Sequence, residues 1–218
     1  MQKEFELEMS ESILRHSDSK NVYIKNITAF GFMFALSVLA GVLCCSNYDF
    51  SVSDKISVQI ISHFADAFYG CDDYSDYISV VIKASLSDLR HLAFVFAAGF
   101  TMFCGLACCV VNFCRGFTFG FSAAYLLLMI QSGISDFSSP KVEFVLFIIS
   151  KLLIGAVIVY LSARANIFGY EFRKLRGRKS AIIRSPVIYK YILVFVIMFG
   201  FIVLVNTAYC AIGAYIQL

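Results

Sequence analysis

Apolar and polar positions along this chain come in long blocks, not in the strict alternation of a half-buried strand. Residues 27–45 and 191–216 hold no charge, 92–134 hold only Arg115, and 142–163 hold only Glu143 and Lys151. A helix needs about 20 apolar residues to cross a bilayer. Taken as one helix at 1.5 Å per residue, 92–134 would be about 64 Å long, so the chain is expected to turn there. Arg115 is the one charge that could mark the corner. The pattern therefore predicts spans at 27–45, 142–163 and 191–216, plus a hairpin over 92–134 whose second and third spans meet at Arg115. The expected fold is an all-α integral membrane bundle of five transmembrane helices, with amphipathic helices in the first extracytoplasmic segment.

Those amphipathic helices fall in 46–91, the one sizeable polar segment. Ile56, Ile60, Phe64 and Phe68 recur every four residues. After a break at 70–76, Ile78, Val81, Ile82, Leu86 and Leu89 repeat a helical pattern. The expectation is two helices with apolar faces on the membrane or a partner and their Asp residues in water. Residues 1–26 read as a polar tail, with E-F-E-L-E near its start.

Charge then orients the spans. The 164–190 segment holds eight Lys and Arg against one acid, whereas 46–91 holds three against seven Asp. The positive-inside rule puts 164–190, the N-terminus and Arg115 in the cytoplasm, and 46–91 and the C-terminus outside. Between two spans, the basic segment is expected to meet anionic lipid headgroups and not nucleic acid. The chain has 218 residues, 60% hydrophobic and 15% charged, against roughly 25% charged in soluble domains. Seven of eight Cys lie in or at the ends of apolar runs and read as packing residues, and the three His are scattered. No metal, cofactor or catalytic set is expected, and the chain does not read as an enzyme.

Two features stand out inside the spans. Gly116, Gly120 and Ala124 fall four apart, a small-residue stripe that lets another helix approach closely. The expected partner is the stripe Ala97, Thr101, Gly105, Cys109 of the second span. Lys151 lies mid-span, where a charge costs roughly 2.5–3.5 kcal/mol on insertion scales. With no acid expected at its depth, it reads as a bundle-internal lysine bonded to Asn206 or Ser150. The alternative is a small membrane transporter or transporter subunit with Lys151 in a polar path.

The run D-L-R-H-L-A-F-V-F-A-A-G-F-T-M-F-C-G leading into R-G-F-T-F-G-F resembles the stage II sporulation protein M family, over about residues 65–128. The resemblance rests on Gly99, Gly105, Arg115, Gly116, Phe117, Gly120 and Phe121. The chain departs from the family's pattern in reading S-P-K-V-E-F at 139–144 and in lacking an acid in the last span. The resemblance implies a multipass cell-membrane scaffold, itself not a hydrolase. Such a scaffold recruits an extracytoplasmic peptidoglycan hydrolase, or anchors a cell-wall remodelling complex, during engulfment in endospore formation.

Overall fold

The structure is a computed structural model that describes residues 2–47, 74–132, 140–175 and 186–217. These residues form five helices and the turns at their ends: α1 (Gln2–Ser46), α2 (Tyr74–Ala98), α3 (Cys104–Gln131), α4 (Pro140–Leu175) and α5 (Pro186–Gln217). The two prolines of the chain open α4 and α5, where a missing N–H leaves no helical bond unmade. Four stretches are long and apolar enough to cross a membrane: Asn21–Ser46, Cys104–Gln131, Lys141–Arg173 and Pro186–Tyr215. The protein is thus an all-helical bundle with the composition of a multipass membrane protein.

The expected spans 27–45, 142–163 and 191–216 lie on α1, α4 and α5. The hairpin at Arg115 does not form. Helix α3 runs unbroken from Cys104 to Gln131, and Arg115 sits inside it. The reversal comes earlier, at 99–103, so the expected second span, 92–114, is divided between α2 and α3. The chain leaves α2 through a tightened turn in which Gly99 N–H reaches Phe96 O, Phe100 N–H reaches Ala97 O and Thr101 N–H reaches Ala98 O. Such i→i−3 bonds commonly end a helix. Thr101 Oγ1 also donates to Ala98 O at 2.8 Å.

Contacts fix the relative directions of the helices. Gly116 of α3 lies against Phe34 and Ser37 of α1, and Gly41 lies against Phe117 and Phe121, so α1 and α3 run the same way. Asn26 bonds Asn166, and Gly31 lies by Val159, so α4 runs against α1. Tyr191 Oη donates to Phe96 O while Asn206 bonds Asp88, which makes α5 antiparallel to α2. Direction therefore alternates at every step from α1 to α5.

Helix α2 does not lie as a separate amphipathic layer. It packs on α3, α4 and α5 through Val80, Ala84, Asp88, Leu92 and Val95, all buried. The apolar face expected on the membrane or a partner points outward at Ile78, Ile82 and Leu86, which are exposed, while the stripe through Asp88 points into the bundle. The expected helix around 56–68 lies outside the described residues, as do 133–139 and 176–185.

At one end of the bundle, rings from α2, α4, α5 and the 99–103 turn stack together. Tyr191 lies parallel to Phe168 at 3.9 Å between centroids, and Phe96, Phe100, Phe172 and Phe195 complete the cluster. A Cβ on Gly99 would overlap the Tyr191 hydroxyl, so the turn needs glycine for space.

Candidate functional site

Several of the buried polar side chains among the described residues form interhelical ties, and the most highly charged of these joins four helices. Asp88 of α2 is 1% exposed. Its Oδ1 takes the Arg115 guanidinium of α3. Its Oδ2 accepts from Asn206 Nδ2 of α5 at 3.1 Å and lies 3.7 Å from Lys151 Nζ of α4. The Arg115 and Lys151 side chains are only 13% and 10% exposed, and Asn206 is fully buried. One carboxylate thus meets two cations, and with both protonated the group carries a net charge of +1.

Each member is placed by ordinary helical geometry. Ala84, Asp88, Leu92 and Val95 follow one another at three- and four-residue spacing, which sets Asp88 on the packed stripe of α2. Ser150 and Lys151 sit beside Phe147 and Ile154 on the buried side of α4. The apolar surroundings lower the local dielectric, which strengthens each attraction and raises the cost of an unmatched charge.

A second tie is neutral. Asn112 of α3 donates from Nδ2 to Ser162 Oγ of α4 at 2.7 Å and to Cys108 O at 2.7 Å. Ser37 of α1 reaches Asn112 O at 3.5 Å. Nearer the aromatic end, Asn166 bonds Asn26, and the Arg164 guanidinium lies 4.8 Å from the Tyr23 ring centroid.

The residues singled out in the sequence divide into two groups. Lys151, Asn206 and Arg115 come together, although Lys151 meets Asp88 in place of the expected Asn206 or Ser150. Ser150 Oγ instead donates to Phe147 O. Gly116 and Gly120 form a seam, but with α1 and not with the Ala97–Thr101–Gly105–Cys109 stripe. That stripe is cut by the turn, and Gly105 faces Asn166. A Cβ on Gly116 would overlap Ser37 Oγ and the Phe34 carbonyl, and one on Gly120 would overlap the backbone of Val38. Phe117 stacks between Phe113 and Phe121 along the same helix, and Ala124 is half-buried.

Asp88 is the member the sequence reading missed. Its signal was present: Leu92 and Val95 continue a buried stripe that passes through position 88. Among the described residues, no group of three His, Cys, Asp or Glu could hold a metal ion. No family model, curated protein or solved structure matches the chain.

Proposed function

We propose that the chain is a multipass membrane scaffold that crosses the bilayer five times, α2 included. One observation carries this reading: Asp88 sits where α2, α3, α4 and α5 meet, paired on both oxygens. A helix bearing Lys83, Asp88 and Arg90 would not enter lipid by itself. Asp, Lys and Arg at a helix centre each cost roughly 2.5–3.5 kcal/mol on insertion scales. Matching Asp88 to cations already inside the bundle offsets part of that cost. The 25 residues of α2 extend about 37 Å, enough to cross a hydrocarbon core of about 30 Å.

In this topology the basic 164–190 segment rests on cytoplasmic headgroups. Residues 48–73 are then presented on the outer face, and the C-terminus lies outside. The resemblance to stage II sporulation protein M supplies the kind of partner. That partner is an extracytoplasmic peptidoglycan hydrolase, held at the membrane during cell-wall remodelling in endospore engulfment. Parity tests the crossing number. With five crossings a C-terminal phosphatase fusion is active outside while an N-terminal fluorescent fusion lights inside; both termini on one side would exclude a crossing α2. For the scaffold role, deletion of residues 50–70, which spares α2, should end co-purification of the hydrolase. Recruitment that survives the deletion counts against docking there.

A second reading, transport, is favoured by the Asp88–Lys151 pair, since ionisable residues inside a membrane often mark ion pathways. Lys151→Met separates the two. It abolishes solute uptake into proteoliposomes in a transporter and leaves partner capture intact in a scaffold.

A further inference from the structure

We propose that the strip of α4 left open between α1 and α5 binds one anionic phospholipid, its phosphate seated on Arg164. Helices α1 and α5 both pack on α4 and have no comparable contact with each other. Toward α1, Gly155 lies against Phe34 and Val159 by Gly31; toward α5, Phe168 stacks on Tyr191. Ile149, Leu153 and Ala156 are exposed and Tyr160 is half-buried. At three- and four-residue spacing they lead along one helix face to Arg164, which is also exposed. The step from 149 to 164 rises about 22 Å, the depth of one leaflet with its headgroup region.

Arg164 is placed to hold a phosphate. Its guanidinium carbon lies 4.8 Å from the Tyr23 ring centroid and 5.6 Å from that of Tyr160. The two rings meet edge to face at 87°, and Arg164 Nε donates to Tyr160 Oη at 3.3 Å. The plane of the fork is thus fixed, and an arginine so held can meet a phosphate with two parallel N–H bonds. The side chains acting on it are those two tyrosines, with no carboxylate among them. On this face of α4 the next acid is Glu171, seven residues on and about 10 Å along the axis. A headgroup with its own ammonium would bring a second cation to one guanidinium, so an anionic lipid is favoured over a zwitterionic one. An acyl chain covers the strip, which a free phosphate would leave bare. Which leaflet supplies the lipid follows from the cytoplasmic placement of this end proposed above; the site itself does not depend on it.

The test is native mass spectrometry of the full-length protein in detergent, with phosphatidylglycerol or phosphatidylcholine added. One phosphatidylglycerol should stay bound at collision energies that strip phosphatidylcholine, and inorganic phosphate should not displace it. Arg164→Gln should bind phosphatidylglycerol about tenfold or more weakly, from loss of a charged donor pair. Arg164→Lys, which keeps the charge and loses the fork, should recover only part of that. Ala156→Phe adds bulk to the exposed strip without changing charge and should also weaken binding. Lys25→Gln removes an exposed cation at the same end of the bundle and should leave binding unchanged. Binding in detergent is blind to sidedness, so terminal fusions that reversed the topology would leave this result standing. Equal retention of the two lipids, displacement by inorganic phosphate, or equal loss in Lys25→Gln and Arg164→Gln overturns the proposal. So does binding untouched in both Arg164→Gln and Ala156→Phe.

Discussion

Replacing Asp88 by Asn changes few atoms and leaves two buried cations without their shared counter-charge. The carboxylate is the shared counter-charge of Arg115 and Lys151, and both lie in surroundings that water scarcely reaches. At an effective dielectric near 20, a charge pair separated by 3.7 Å attracts by about 4 kcal/mol. The Arg115 contact is closer and therefore at least as strong. Removing the carboxylate forfeits both attractions and leaves the two cations repelling each other. Breaking a buried pair from one side costs about 3–5 kcal/mol. Against a total stability of about 5–15 kcal/mol, Asp88→Asn should lower accumulation in membranes severalfold. It should also move the unfolding midpoint of the purified protein to lower dodecyl sulfate fractions.

The sign of the companion substitution makes the test specific. Lys151→Met removes the surplus cation and leaves Asp88 bonded to Arg115 and Asn206, so stability should hold or rise. The triple variant Asp88→Asn, Arg115→Met, Lys151→Met contains no buried charge at the site and should recover most of what Asp88→Asn alone loses. Equilibrium unfolding in mixed micelles measures all three. If Asp88→Asn unfolds within about 1 kcal/mol of the parent, or the triple variant falls below it, charge matching is not what holds α2 in the bundle.

The glycine seam gives a contrast within one experiment. Gly120→Ala should destabilise by about 1–3 kcal/mol, because its new Cβ would overlap fixed backbone at Val38, while Gly200→Ala should be silent, having nothing within 4 Å. Thermal aggregation of fluorescent fusions would compare the two. Tyr191→Phe removes the bond to the Phe96 carbonyl but keeps the ring stack, and should cost about 1 kcal/mol in the same assay. Asn112→Leu should cost about 1–3 kcal/mol by leaving Ser162 Oγ without its donor, and Ser162→Ala in the same background should add little if the two act as one unit.

Much of the fold was legible because three of the expected spans are long apolar runs, two of them without any charge, and those runs lie on α1, α4 and α5. The small-residue stripe at Gly116 and Gly120 was legible as a close-packing surface too. Its partner was not, because spacing along one helix says nothing about which helix lies opposite. The corner at 99–103 left almost no trace: it contains no proline and no charge, only Gly99 and Thr101 among apolar neighbours. What demands glycine there is the Tyr191 hydroxyl, contributed by α5 from 92 residues further along the chain.

The misplaced corner and the missed carboxylate have one cause. Hydropathy treats each charge as a separate cost, which makes Arg115 the mark of a corner, Lys151 an isolated charge and α2 an amphipathic helix outside the bundle. The interior evaluates charges jointly. Asp88, Arg115 and Lys151 are each poor tenants of an apolar bundle, and together they need only one further unit of negative charge to balance. Periodicity could have exposed the link, since position 88 falls on the stripe defined by Ala84, Leu92 and Val95. A carboxylate on a packed stripe implies a cation on a facing helix, and this chain holds two apolar runs with a single cation inside each. Matching such charges across runs before drawing span boundaries would have kept Arg115 within its helix and moved the reversal to the glycine that precedes it.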